Sequence, residues 1–573
     1  MSVSRLLTLI LVLLATQCLA AAKEREFTFR GLWVDAGSFA TQERADKLLD
    51  QCRRAKINVV LPNVMVHGSL FHKSTHYLHN VAATDKFDPL AYLIEKAHAC
   101  GIQVHPWYCV YYEGAKGLEP AKPEWLCTDM DGRRMSETYF LSPQVPGVND
   151  YLLSVMKDGL AYDVDGIHLD YIRYYGTSFD YSDLGRQGFI AKHHFDPKDF
   201  LDRAERIVPP EKDPFPVRVL HARRHIERNW EASWTESLMN RSGVGFGFIS
   251  EKPENVDALR APGVLVLSTV YDLDPLMTAA VERYVSRGGC VLCIDGLAAD
   301  DNPRLARIFG VKTGHMWLPA KWRTLKAVGN HPLARCLPRE EIKVSAEYPT
   351  ELDGGVVVAQ FDSGEPAVIV NRCGAGRTAL VTFSAAKPST DGPSKMIRGI
   401  LEWLRSESGV KSSADPMAAK RMQWIRWRAD CVTDMVRKAH AAAKAKNVPV
   451  SVAGGFNPSE LCLIYRDGGQ WLREGLVDIS IPMDYYDSLE DLRHALELHR
   501  VTVPRAKMAT LYPGLSLYTS KTVDGKKTTV SRDAAVVRDQ LDLVRDMGFK
   551  GFCLFCSAQL SEDQIKVLAE AAE

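Results

Sequence analysis

From Phe27 onward, short apolar runs alternate with longer stretches whose apolar residues recur every three or four positions. Runs of the first kind suit strands buried on both faces, and stretches of the second suit helices packed upon them. Together they are the repeating unit of an α/β protein with parallel strands. The pattern predicts strands at residues 29–36, 57–64, 102–110 and 165–170, with helices at 43–55, 90–100 and 148–162. It then breaks at Pro209-Pro-Glu-Lys-Asp-Pro-Phe-Pro216, a proline-rich joint. A new α/β series follows, with strands at 217–220, 244–249, 264–268 and 290–295 and a helix at 277–286 closed by Gly288 and Gly289. Three more strand-like runs, 355–361, 367–371 and 378–383, precede a second joint at Ser412-Ser-Ala-Asp-Pro416.

Beyond that joint the first pattern resumes. A helix at 420–445 leads to strands at 448–454, 477–484, 506–512 and 551–556. Four strands before the break and four after it make the eight of a (β/α)8 barrel, interrupted after its fourth strand by a second α/β unit. The expected division is a leader at 1–22, barrel halves at 23–206 and 416–573, and an inserted domain at 207–415. Because the insertion follows a strand's C-terminal end, it should sit over or beside the catalytic face.

A chain of 573 residues is too long for one ordinary core, which agrees with two units. Lys+Arg and Asp+Glu both total 71, so no global charge would draw the protein to nucleic acid or an anionic membrane. Arg5, the apolar run Leu6–Leu14 and the small residues Ala20–Ala22 read as a cleavable signal peptide, too short to span a bilayer. Export is the expectation, to periplasm or outside, with no membrane span. Of thirteen Cys, twelve lie beyond the leader. The C-x-x-C pairs Cys290/Cys293 and Cys553/Cys556 fall in strand-like runs, where positions i and i+3 face opposite ways; buried thiols fit better there than zinc or redox chemistry.

Chemistry concentrates at the predicted strand ends. Val164-Asp-Gly-Ile-His-Leu-Asp-Tyr-Ile-Arg-Tyr174 closes a strand on Asp170, beside Tyr171 and Arg173. The first strand offers Trp33 and Asp35, the second Asn63 and His67, the third His105 and Trp107. The sixth runs into Pro482-Met-Asp-Tyr-Tyr-Asp487, with Asp484 and Tyr485. Carboxylates among Trp and Tyr suit a carbohydrate site, since aromatic faces pack on the C–H faces of sugar rings while Asp, Asn and His bind hydroxyls. Glu113 reads as a solvated loop side chain, and Asp165 as a residue tightening the entry to the fourth strand. No metal or other cofactor is implied.

With these residues in place, the chain resembles the glycosyl hydrolase-like 10 family over about 27–206 and 421–560. The resemblance rests on Arg30-Gly-Leu-Trp33, His105-Pro-Trp107, Pro123-Glu-Trp125, Leu141-Ser-Pro143 and the run from Tyr162 to Asp170. Trp424-Ile-Arg-Trp-Arg428, Gly475-Leu-Val-Asp478 and Pro482-Met-Asp484 add to it. Two departures stand out: Tyr171 follows Asp170 where a second acid is frequent, and Asn63 stands where Gln is frequent. The insertion resembles a glutamine-amidotransferase-like domain of the kind attached to some β-galactosidases as a trimerisation domain. Val266-Leu-Ser-Thr-Val-Tyr271 has no Cys where an amidotransferase nucleophile would be, so a structural, oligomeric or substrate-shaping role is implied, with room for a homo-oligomer contact.

The resemblance implies an exported glycoside hydrolase acting on a poly- or oligosaccharide. Asp170 is expected to be nucleophile or stabiliser, held ionised by Arg173, with Asp484 as general acid/base. Trp33, Asp35, Asn63, His105, Trp107, Arg173 and Tyr485 would bind the sugar. A carboxylate separation of about 5–5.5 Å would mean retention and about 6.5–9.5 Å inversion; retention is favoured. The rivals are a non-catalytic carbohydrate-binding barrel, and a metal-dependent deacetylase or amidase, for which the His and Asp residues are too scattered.

Overall fold

The computed structural model describes residues 26–572 except 116–117, 135–137, 203–216, 222–229, 260, 262, 269–272, 274, 296, 298–301, 313–320, 347–349, 385–389, 407–415 and 524–525. The predicted leader and the 209–216 joint lie outside the described residues, as does the 412–416 joint apart from Pro416, which opens a helix.

Eight parallel strands form one curled sheet: β1 (Phe29–Val34), β2 (Val59–Val66), β3 (Trp107–Cys109), β4 (Ile167–Asp170), β5 (Val450–Val452), β6 (Ile479–Ser480), β7 (Gly514–Ser516) and β8 (Gly551–Phe555). They are ordered β6-β5-β4-β3-β2-β1-β8-β7. Parallel bridges Ser480–Leu511 and Met483–Gly514 link β6 to the β7 segment. Helices follow the strands: α1 (Gln42–Arg54), α2 (Pro89–Ala99), α3 (Val148–Gly159), α4 (Pro416–Lys444), α5 (Leu489–Thr502), α6 (Ala534–Asp546) and α7 (Glu562–Ala571). Their starts are written in local chemistry. Thr41, Asp88 and Ser488 side chains accept backbone N–H groups at the starts of α1, α2 and α5, and Ser561 with Gln564 makes a reciprocal cap on α7.

The two-residue period of each strand sorts its side chains. Leu32, Val34, Val60, Val64, Tyr108, Leu169, Val452 and Leu554 join the helices in the large outer core. Phe29, Trp33, Leu61, Trp107, Cys109, Ala453, Ile481 and Cys553 form a separate cluster on the concave side. One predicted strand is displaced. Residues 505–510 form a 3-10 turn after Pro504, and pairing runs instead through Leu511 to β7.

Residues 201–405 carry a second sheet. Val217–His221, Gly247–Ser250, Val264–Ser268, Cys290–Ile294 and Gly376–Val381 run parallel, and antiparallel strands extend the sheet from Pro366–Cys373 onward. Leu201–Asp202 already pairs with Gly247–Ser250, so this sheet begins before the predicted boundary at 207. Helices cover both faces: Val264, Val266 and Cys290 pack with 230–242 and 392–405, while Leu265, Leu267 and Cys293 pack with 275–286 and 303–309. Cys290 and Cys293 thus face opposite layers, as their spacing predicts.

Candidate functional site

A cavity of about 590 Å³ opens on the concave side at the C-terminal ends of the strands. Every lining residue among those described comes from 33–173 or 483–556, so none of the described residues of the second unit lines it. Its walls are largely aromatic: Trp33, Trp107, Tyr112, Tyr171, Tyr485, Tyr518 and Phe555. Tyr485 stacks on Phe555 at 5.1 Å, and Trp33 meets both rings edge-on. Beneath them Trp33 Nε1 donates to His168 Nε2 at 2.9 Å, and Ser451 Oγ lies 2.8 Å from His168 Nδ1, which locks the indole plane.

Asp170 ends β4 on this wall and is almost wholly buried. The Tyr171 N–H donates to Oδ1 at 2.6 Å and Trp107 Nε1 to Oδ2 at 3.2 Å. Burial raises the carboxyl above the usual aspartate range; the Tyr171 amide, the charges of Arg173 and Arg466, and the Trp107 bond offset only part of that. Arg173 pulls the Asp170 pKa down, but burial outweighs it and the net shift is upward. Arg173 does line the cavity, with Nη1 donating to Tyr174 O at 3.1 Å and its guanidinium 5.2 Å above the Tyr171 ring.

Asp35, just past β1, also lines the cavity. Ser38 Oγ and Ser557 Oγ donate to its Oδ2 at 2.6 and 2.7 Å, and its own N–H donates to Ser557 Oγ at 3.1 Å. Asn63 lines the wall beside Cys109, with Nδ2 3.6 Å from the thiol sulfur.

Two predicted residues fall elsewhere. His105 has the inward parity but sits two residues below Trp107, packed on Gly166, where an added Cβ would lie 2.7 Å from the ring. It is buried in the floor, neither ring nitrogen has a hydrogen-bond partner among the described residues, and burial pushes its pKa down to about 4. It does not line the cavity. Asp484 faces the other way. Ile481 belongs to the concave cluster and Met483 and Tyr485 line the cavity, so the residue between the last two turns toward α5, where both oxygens lie 3.1 Å from His499 Nε2. Glu113, read as solvated, is buried against His79 Nε2 at 2.6 Å. Asp165 does tighten the start of its strand, accepting from Val104 N at 2.8 Å.

Tyr518, Phe555, Cys556 and the Ser557 hydroxyl are the site residues that strand-end reasoning passed over. Three of them follow from applying it to the eighth strand; Tyr518 opens the hairpin strand Tyr518–Val523 just past β7, whose end the sequence pattern puts at residue 512. Among the described residues no group of three or more His, Cys, Asp or Glu side chains could hold a metal ion, and no helix is long and apolar enough to cross a membrane.

Residues 28–190 match the family model described as Glycosyl hydrolase-like 10. This stretch is similar to that family. It contributes Trp33, Asp35, Asn63, Trp107, Asp170 and Arg173 to the cavity, while Met483 to Cys556 complete it from outside the matched region. Among curated proteins, the chain is similar to "Glycosyl hydrolase YngK" of Bacillus subtilis (strain 168), 24% identical over 141 residues, 22% of this chain and 26% of that protein. "Glycosyl hydrolase DigH" of Escherichia coli (strain K12) is 26% identical over 154 residues, 22% of this chain and 34% of its own length. The chain thus spans between a quarter and about a third of these relatives. Among solved structures, a β-galactosidase from Bacillus circulans sp. alkalophilus aligns with 67% of this chain and 89% of its own at 11% identity and a TM-score of 0.28. The α-L-fucosidase isoenzyme 2 from Paenibacillus thiaminolyticus covers 66% and 84% at 13% and 0.26. Both scores are too low to bear on function.

Proposed function

We propose that this protein is an exported glycoside hydrolase that cleaves a poly- or oligosaccharide in the concave cavity. The curled sheet is read as a (β/α)8 barrel interrupted between β4 and α4, and the 207–415 region as an amidotransferase-like unit without amidotransferase chemistry. Export rests on the leader-like residues 1–22.

The observation that carries the reading is Asp170: a buried strand-end carboxyl, raised toward its protonated form, set in an aromatic cavity of a size suited to small carbohydrate segments. A carboxyl whose pKa burial raises holds its proton to higher pH than an ordinary aspartate and can donate it to the oxygen of a departing sugar. Asp170 is therefore assigned as general acid instead of nucleophile. Trp107 holds its Oδ2 edge, and Trp33, Tyr485 and Phe555 offer apolar faces to the sugar.

Hydrolysis of a glycan panel together with aryl glycosides tests this. Asp170→Asn should cut kcat/KM on unactivated glycans by about 10²–10⁴-fold, the usual worth of general acid catalysis. It should cost much less on dinitrophenyl glycosides, whose leaving group departs without a proton. The native enzyme should lose activity as pH rises through the raised Asp170 pKa, and the variant should lack that basic limb. Near-native turnover of unactivated glycans by Asp170→Asn would sink the assignment.

A further inference from the structure

We infer that Asp35, and not Asp484, is the second carboxylate of the site, the base that activates the attacking water. This rests on the glycosidase reading above and names its missing partner. Among the described residues, Asp35 and Asp170 are the two acidic side chains lining the cavity. Asp35 lies just past the end of β1 and Asp170 at the end of β4, three strands apart in the curled sheet and on one cavity.

The Asp35 carboxylate is held as a working group would be. Two serine hydroxyls, one from each side of the β1–β8 seam, fix Oδ2, while Oδ1 makes no hydrogen bond among the described residues. Neutral hydroxyl donors orient an anion without cancelling its charge, and Asp35 forms no ion pair among the described residues. The ordinary structural task at this position is also missing. Asp35 is the N-cap of the 3-10 turn Ala36–Phe39, yet its side chain caps no backbone N–H of that turn. Asp484, by contrast, spends both oxygens on His499 on the convex side.

In the step assigned here, Asp35 Oδ1 takes a proton from water as the water oxygen bonds to the anomeric carbon. The glycosidic C–O bond breaks, its electron pair stays on the leaving oxygen, and that oxygen receives the Asp170 proton. Water is consumed, the anomeric configuration inverts, and proton exchange with solvent restores both carboxyls.

The test uses the full chain on whichever panel glycoside the native protein cleaves, with melting curves to confirm folding. Asp35→Asn and Asp35→Ala should each lower kcat by about 10²–10⁴-fold. Unlike Asp170→Asn, they should do so on activated and unactivated substrates alike, because the water needs its base with either leaving group. Sodium azide should restore turnover to Asp35→Ala and yield a glycosyl azide, a rescue that a merely structural role would not give. Asp484→Asn should stay within a few-fold of native. Near-native activity in Asp35→Ala, absence of azide rescue, or product of retained configuration would overturn the inference. Loss in Asp170→Asn alone would leave the glycosidase reading standing, whereas a native protein inert on the whole panel would defeat both.

Discussion

His499 is fully buried behind β6, and both oxygens of Asp484 face its Nε2. Burial disfavours the imidazolium, but the Asp484 charge and hydrogen bond, with the Glu460 charge, outweigh it and raise the His499 pKa. A histidine raised in the folded state contributes stability that is fully present below its unfolded pKa of about 6.5, and that contribution fades as pH climbs through the folded value. The melting temperature of His499→Gln should therefore fall furthest below native in mildly acidic buffer, and the gap should narrow toward alkaline pH. A gap independent of pH would mean the pair contributes nothing through charge. At this scale, residue types announced Asp170, Trp33 and Trp107 as members of the site. They could not separate Asp484 from its neighbours, because Met483, Asp484 and Tyr485 all follow one strand end and only the period of two decides which of them face the cavity.

At the scale of elements, β7 must pass unusually close to the site's back wall. A Cβ on Gly514 would lie 2.7 Å from Pro482 O and 2.7 Å from the Trp33 ring, so a side chain there must push either the β6 backbone or the indole. Gly514→Ala should cost about 1–3 kcal/mol in denaturant unfolding, the range for forcing a methyl into a packed interior. It should also lower kcat/KM by displacing Trp33 from His168. Unchanged stability would show that the contact relaxes freely. The strand reading of 506–512 failed here for a local reason: Met508 to Tyr512 is apolar enough for a strand, but the chain turns after Pro504 before it can pair. The other strands and helices that the apolar periodicity predicted lie within a few residues of their places, because both faces of these strands are buried and the whole run must be apolar.

Across the whole molecule, the second unit docks beside the cavity, and none of its described residues lines it. Its contacts fall on segments that leave the C-terminal strand ends: Thr177 with Ser233 after β4, Ser459 with Ser237 after β5, and α5, where Trp322 stacks on His494 at 3.4 Å and donates to Asp491 at 2.7 Å. Arg421 of α4 anchors the joint. Its guanidinium donates to Glu236 at 2.8 Å and Asn240 at 2.9 Å and lies 3.7 Å from the Phe246 ring centre, all in buried surroundings. Removing one partner of such a pair leaves a buried charge uncompensated, so Glu236→Ala should destabilise the chain by about 3 kcal/mol. Activity per folded molecule should hold, since no described residue of the second unit lines the cavity. A stability loss below about 1 kcal/mol would show that solvent reaches Arg421 once the carboxylate is gone.

The chain's order of apolar runs by itself located most strands of the two α/β sheets and showed that Asp170 closes a strand among aromatics. Those features follow from local periodicity and from residue types that have no cheap structural use. Tertiary structure alone decided which carboxylates line the cavity, the depth of His105 and the direction in which the Asp170 pKa moves. Asp35 acquires its cradle from Ser557, 522 positions away, when β8 pairs with β1. The Asp170 carboxyl is raised because the curled sheet excludes water around it more strongly than Arg173 and Arg466 attract its charge. Burial of that kind is a property of closure, to which strands from both ends of the chain contribute, and no window of sequence contains it.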